Sequence, residues 1–219
     1  MTYAASLEGS PAAEYLDNRG ILQVAKRFGL GYVAEPRPGH DLYKGFLSIP
    51  YLRKSPDPSV QSGYRNLVIS IRYRCINPDC VEVLEDGSTK ESHKGHGKYM
   101  TVPGGGTRLF NTPALLESSD FVAICEGELD AIVCTMLGIP AVAMPGSDTW
   151  QKHWRDPFLG YESVLILGDG DEAGAKLAAQ LAKELPNGKP IVMPPNLDVS
   201  SYVMKEGAES FKKKLGIIK

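Results

Sequence analysis

Two aspartates, Asp169 and Asp171, follow the apolar run Val164–Leu167 in the stretch VLILGDGDEAG. Side chains at i and i+2 of an extended segment project to one side, so both carboxylates can aim at one point just past a strand end. A second acidic group, Glu126-Gly127-Glu128-Leu129-Asp130, follows the apolar run Phe121–Cys125, and Asp198 closes the segment PPNLD. Hard oxygen ligands of this kind suit Mg²⁺ or Mn²⁺, which bind through a few carboxylates together with substrate phosphates. Crowded carboxylates repel unless a cation lies between them. Glu126, Asp130, Asp169, Asp171 and Asp198 are therefore the candidate metal ligands of a site that handles phosphates. Glu128 and Glu172 read instead as helix-start residues, where the helix dipole favours a negative charge.

For these acids to meet, the strands that carry them must run parallel. From residue 120 onward the pattern predicts strands at 121–125, 141–144, 164–167 and 190–193, with helices at 128–137, 149–158 and 172–185. Alternation at these lengths implies right-handed βαβ units and a parallel sheet. All the acidic groups then emerge at one sheet edge, where open α/β sheets bind ligands. Upstream, helices are expected near 12–18, capped by Ser10 with Pro11 in the first turn, and near 22–28. Strands are expected at 44–52 and 66–75, and the polar stretch 76–97 reads as a long loop or hairpin insertion. The boundary falls near residues 113–120, giving an α+β N-terminal subdomain (1–115) and an α/β domain (116–219).

At 219 residues, 42% hydrophobic and 23% charged, the chain is of ordinary globular composition. No apolar run reaches the roughly 20 residues of a membrane span, so no membrane partner is expected, and MTYAASLEGSPAAEY is not a signal peptide. Four cysteines are too few for a disulfide framework here, which points to the reducing cytoplasm. Charge is uneven: residues 1–113 carry 14 Lys/Arg against 11 Asp/Glu, and residues 114–219 carry 10 against 15. Lys44, Arg53, Lys54, Arg65, Arg72 and Arg74 interleave with Tyr43, Phe46, Tyr51, Tyr64 and Tyr73. Two readings stand: a surface that follows a phosphate backbone and stacks bases, or an antiparallel sheet with aromatics inside and charges outside. Cys75, Cys80, His93 and His96 could close a tetrahedral zinc site. Their spacing is not that of a standard finger, and the preferred reading is a strand-end cysteine with two exposed histidines. Cys125 and Cys134, flanked by apolar residues, read as core.

E-G-x-x-D after one strand and D-G-D-x-A-G after a later one resemble the Toprim domain shared by bacterial-type primases, topoisomerases, some nucleases and recombination mediators. Residues 15–21 (YLDNRGI), 46–50 (FLSIP), 71–74 (IRYR), 97–99 (GKY) and 109–111 (LFN) occur in the order seen in the catalytic core of bacterial-type DNA primases. A phage version of that core is the nearest likeness. The resemblance implies a Toprim α/β domain, a parallel sheet flanked by helices, preceded by a smaller α+β subdomain. It implies primer synthesis on single-stranded DNA from ribonucleoside triphosphates with Mg²⁺ or Mn²⁺, and Glu126, Asp169 and Asp171 as catalytic residues. Glu126 is similar to an acid proposed as general base or metal ligand, and Arg72, Arg74 and Lys98 to residues that hold nucleotide or template phosphates. The family's zinc module and helicase-binding module find no match, so a separate zinc-module protein or a replicative helicase enters only as an expected partner. The last acidic motif departs from the family, with Asp198 then Ser200 where two aspartates are frequent. A Toprim nuclease and a non-catalytic DNA-binding Toprim protein are the alternatives.

Overall fold

The computed structural model describes residues 2–61, 63–146 and 148–218. By packing, the chain divides into two compact units, Met1–Tyr51 with Val68–Gly105, and Leu52–Leu67 with Gly106–Lys219. The functional division at 115/116 expected from sequence stays a proposal about which half handles template.

In the first unit, helices α1 (Thr2–Ala5), α2 (Pro11–Asp17) and α3 (Ala25–Phe28) precede a sheet. Ser10 caps α2, accepting from the Ala13 N–H at 3.3 Å, with Pro11 at the first helical position. The helix expected over 22–28 is a 3₁₀ turn, Leu22–Val24, running into the single turn of α3. The sheet has the order β1-β2-β3-β6, built from β1 (Gly31–Tyr32), β2 (Leu47–Pro56), β3 (Tyr64–Arg74) and β6 (Tyr99–Thr101). The insertion is a hairpin of β4 (Val81–Val83) and β5 (Thr89–Glu91), whose residues are all exposed.

Tyr43, Phe46, Tyr51 and Tyr73 are buried, and only Tyr64 of that set is exposed. Tyr43 stacks on Tyr73 with ring centroids 4.0 Å apart, and His40 Nδ1 lies 2.9 Å from the hydroxyls of both Tyr3 and Tyr73. The basic–aromatic stretch is thus an antiparallel sheet with its aromatics inward. Tyr43, Phe46, Tyr51 and Tyr73 therefore offer no base-stacking face, because a ring in the core has no face left for a base, and Tyr64 alone of the five is exposed.

The second unit carries four parallel strands in the order β10-β9-β7-β8: β7 (Phe121–Cys125), β8 (Ala141–Ala143), β9 (Ser163–Gly168) and β10 (Gly188–Val192). Helices α4 (Glu128–Met136), α5 (Glu172–Glu184) and α6 (Val199–Lys214) follow β7, β9 and β10. Val122, Ile124, Val164 and Ile166 are fully apolar and buried, as strands covered on both faces must be. Leu177, Leu181, Trp154 and Phe158 complete that core. The helix expected over 149–158 is two 3₁₀ turns, Lys152–Trp154 and Asp156–Phe158. Pro157 accounts for this: it has no N–H and disfavours α geometry in the residue before it.

Chain order turns back at β7. From there the chain passes to β8 on one side and then crosses to β9 on the other, which makes the space past the ends of β7 and β9 the switch point of the sheet. The loop leaving β9 is locked there by backbone bonds. The Gly170 N–H donates to Leu197 O at 2.8 Å, the Asn196 N–H donates to Gly170 O at 3.0 Å, and the Met193 N–H donates to Gly168 O at 2.9 Å. A Cβ at position 170 would collide with the carbonyl of Pro194, so only glycine lets the two loops approach this closely. Gly170→Ala is expected to lower the unfolding free energy by about 1–3 kcal/mol, read as a shift of the urea midpoint at unchanged slope.

Candidate active site

Four backbone features bring the acids together. Glu126 leaves the tip of β7, and its Oε2 lies 3.5 Å from the Asp169 N–H at the tip of β9. Gly127 follows as the N-cap of α4, and a Cβ there would stand 3.0 Å from Asp130 Oδ2, so the missing side chain makes room for that carboxylate. Asp171 is the N-cap of α5, accepting from the Gly174 N–H at 2.8 Å. Asp198 is the N-cap of α6, accepting from the Ser201 N–H at 2.6 Å. Each cap uses one carboxylate oxygen and leaves the residue a second.

Asp130 is 6% exposed, and its Oδ1 accepts from both the backbone N–H and the hydroxyl of Ser200, each at 2.9 Å. This explains what replaces the second aspartate of the last motif. Where a further carboxylate would repel Asp130, a serine donates to it and fastens the start of α6 to the first turn of α4. Glu128 is also buried, at the first position of α4, where the helix dipole offsets its charge.

The electrostatic result is concentrated on Asp169. Burial first, and then the neighbouring carboxylates of Asp130, Glu126, Asp198 and Asp171, push its pKa up to about 8. Burial also raises Glu126, reinforced by Asp171 and Asp148 and opposed by the Asp169 N–H. All five sequence-predicted acids thus bear on one point at the sheet edge. Asp148, which follows β8, is a charge that sequence reasoning missed; its only signal was its place in the loop after a parallel strand. The donor set is all oxygen and carries excess negative charge at close range, which fits a divalent hard cation.

The candidate phosphate-binding residues lie in the first unit. Arg74 is 5% exposed, its Nε donating to the Tyr15 hydroxyl at 2.6 Å and its NH2 to Glu91 Oε1 at 3.4 Å. Lys98 reaches Glu91 Oε2 at 2.6 Å with its side chain 48% exposed. Arg72 packs over the Tyr99 ring, 4.4 Å from its centroid. Burial alone would raise Glu91, but Lys98, His93 and Arg74 outweigh it and hold its carboxyl below the ordinary value. Cys75, Cys80, His93 and His96 converge as well. Neither histidine is exposed, in contrast to the preferred sequence reading, and the four ligand atoms lie within 4.8 Å of one another. Cys125 and Cys134 are core, 3.8 Å apart.

The chain is similar to several known proteins. Residues 123–203 match the family model described as Toprim-like. The Gene 57 protein of Mycobacterium phage D29 is 43% identical over 175 residues, covering 80% of this chain and 100% of the phage protein. A DNA primase of Halalkalibacterium halodurans is 34% identical over 234 residues, covering 94% of this chain but 37% of that protein. Among solved structures, a DnaG primase catalytic domain bound to single-stranded DNA superposes with a TM-score of 0.69 at 21% identity, covering 99% of this chain and 75% of that one. The fold and the acid-lined sheet edge are those of a Toprim protein. Residues 123–203 form a Toprim-like domain, the chain belongs to one family with the phage Gene 57 protein, and its fold is that of the DnaG primase catalytic domain. It spans little more than a third of the length of the bacterial primase.

The charge on Asp169 has a measurable consequence in metal-free protein. Below its ordinary value of 3.8 the folded and unfolded chains both hold the proton, and between 3.8 and about 8 only the folded chain does. Stability should therefore fall as pH rises through that window, and Glu126 adds in the same direction. Thermal midpoints of chelator-stripped protein are expected to drop between about pH 5 and about pH 8, with a flatter curve for Asp169→Asn and a recovery on adding Mg²⁺ that is largest at high pH. An identical slope in Asp169→Asn contradicts the account.

Proposed function

We propose that this chain is the catalytic core of a DNA primase, making short RNA primers on single-stranded DNA by metal-dependent nucleotidyl transfer. The observation that carries the reading is the convergence of Glu126, Asp130, Asp169, Asp171 and Asp198 at the switch point of a parallel sheet. Relatives named DNA primase and the likeness to a primase domain bound to single-stranded DNA support it.

Asp169, with Glu126, Asp171 and Asp198, would hold Mg²⁺ or Mn²⁺ at this edge. Asp130, whose Oδ1 accepts from the N–H and hydroxyl of Ser200, would belong to the same metal-holding set. Bound there, the metal supplies activation of the attacking 3′-hydroxyl and charge neutralisation at the leaving pyrophosphate. Glu126, at the tip of β7 beside the Asp169 N–H, would serve either in the metal shell or as the general base for that hydroxyl. Arg72 and Lys98 contact nucleotide or template phosphates, and the exposed ammonium of Lys98 exchanges Glu91 for phosphate. Arg74, buried and held by Tyr15 and Glu91, is a positioning residue that fixes the acid shared by this group. The reaction is assigned to the host cytoplasm, where template and ribonucleotides are found. Among the described residues no helix is long and apolar enough to cross a membrane.

The test is synthesis of labelled RNA on mixed-sequence single-stranded DNA with four ribonucleotides and Mg²⁺ or Mn²⁺. Asp169→Ala is expected to lower the rate at least about 100-fold while keeping DNA affinity, since it removes a metal ligand and no phosphate-binding group. Lys98→Ala and Arg72→Ala are expected to weaken DNA or nucleotide binding and to reduce the log-affinity slope against log salt by about 0.7 for each phosphate no longer neutralised. Metal-dependent cutting of the template without RNA product identifies a nuclease instead, and wild-type synthesis by Asp169→Ala sinks the site.

A further inference from the structure

Away from the acidic edge, the β4–β5 hairpin poses a physical problem. Every residue in its two strands is exposed, and a lone two-stranded hairpin without a packed face is marginally stable in water. Its base is where the structure concentrates chemistry. Cys75 follows β3, Cys80 precedes β4, His93 follows β5, and His96 lies before β6, so the four residues bracket the insertion on both sides.

Their spacing is that of ligands about an ion. Cys75 Sγ and Cys80 Sγ are 3.7 Å apart, and Cys80 Sγ lies 3.6 Å from His96 Nε2. Two sulfurs on tetrahedral zinc stand about 3.8 Å apart, and a sulfur and a nitrogen about 3.6 Å, from Zn–S and Zn–N lengths of about 2.3 and 2.05 Å. The sulfur–sulfur distance is far longer than the roughly 2.05 Å of a disulfide.

The histidine partners settle which nitrogens carry lone pairs. His96 Nδ1 lies 3.1 Å from the carbonyl of Gly97, which can only accept, so the proton is on Nδ1 and the lone pair on Nε2. His93 Nε2 lies 3.0 Å from Glu91 Oε1, so its proton is there and the lone pair is on Nδ1. That Nδ1 is buried and has no hydrogen-bond partner among the described residues. An imidazole oriented by a carboxylate or a carbonyl, its other nitrogen turned inward, is the outer shell that zinc-binding histidines use.

We infer that Cys75, Cys80, His93 and His96 form a structural zinc site that closes the base of the β4–β5 hairpin. Two thiolates and two neutral imidazoles select zinc, and four protein ligands leave no open position, so the ion is structural and not catalytic. Loading is balanced by release of the two thiol protons as the two Zn–S bonds form. The pattern C-x₄-C-x₁₂-H-x₂-H departs from finger spacing because the ligands sit on the two roots of an inserted hairpin, with no helix to carry the histidines. Glu91 ties the site to its surroundings, since the carboxylate that orients His93 also holds Lys98 and Arg74.

The test uses the full chain, purified under reducing conditions without chelator, and does not depend on polymerase activity. Elemental analysis is expected to give one zinc per chain. Exchange with Co²⁺ is expected to give the thiolate charge-transfer band and the intense visible bands of a tetrahedral ion. Cys80→Ser and His93→Ala should each lose the metal, while Asp169→Ala should keep it, which separates this site from the acidic edge. Stripping zinc should speed protease cleavage within residues 76–97, and adding it back should restore protection. Zinc well below one equivalent with no cobalt spectrum overturns the inference. So does zinc retained in both ligand variants, zinc lost in Asp169→Ala but not in Cys80→Ser, or a Cys75–Cys80 disulfide in the reduced preparation. The zinc content and cobalt spectrum of the wild-type chain decide the matter by themselves if a ligand variant fails to fold.

Discussion

Carboxylates at one sheet edge repel one another, and the second unit is organised around holding them there. The strands that end at Glu126 and Asp169 are adjacent, apolar and covered on both faces, so neither tip can retreat without unpacking Val122, Ile124, Val164 or Ile166. The Gly170 loop and the segment before α6 share three backbone bonds that fix the third and fourth contributors. Helix dipoles at α5 and α6 and the two donors of Ser200 lower part of the electrostatic cost. What remains falls on Asp169, which four neighbouring carboxylates and burial together push up to about 8.

The first unit solves a different problem with similar means. Its basic residues are arranged around one acid, Glu91, which faces Arg74, His93 and Lys98. One carboxylate between two cations, Arg74 and Lys98, leaves net positive charge, which suits a polyanion and keeps an otherwise buried guanidinium paired. The zinc site inferred at the hairpin base gives that carboxylate a fixed anchor through His93, so the insertion serves the basic group and is not an appendage.

How much of this was legible in the sequence varied with the kind of signal. The strands of the second unit were readable because buried parallel strands are continuous apolar runs with sharp ends; β7 falls at its expected bounds, and β9 within a residue of them. The acids were readable because their position just after such runs determines where they project. The segment 149–158 was not, since its apolar spacing reflects Trp154 and Phe158 anchoring two 3₁₀ turns while Pro157 forbids the helix. The aromatics between residues 43 and 73 were ambiguous because alternation alone does not say which face is inside. Short pieces such as Leu109-Phe110-Asn111 have no periodicity to read. The structure shows their work: Phe110 bridges to Ala143, and Asn111, left-handed at φ 57°, donates to Ala141 O at 2.8 Å. The zinc ligands were visible as residue types, but only their approach in space, around a hairpin with nothing else to hold it, gives the cluster meaning.

The strand order also has a consequence in time. β9 lies between β7 and β10, although it is made after β8 and before β10. On a ribosome, Glu126 and Asp130 emerge well ahead of Asp169, and Ser200 emerges last of all. The first half of the βα layer can fold while its acids are still few and solvated. The mutual repulsion is incurred only when β9 inserts, at which point the hydrophobic contacts of the central strand are gained in the same step. Asp130, in the first turn of α4, then waits until the start of α6 supplies its two donors. The nascent chain is thus least satisfied just before α6 leaves the exit tunnel.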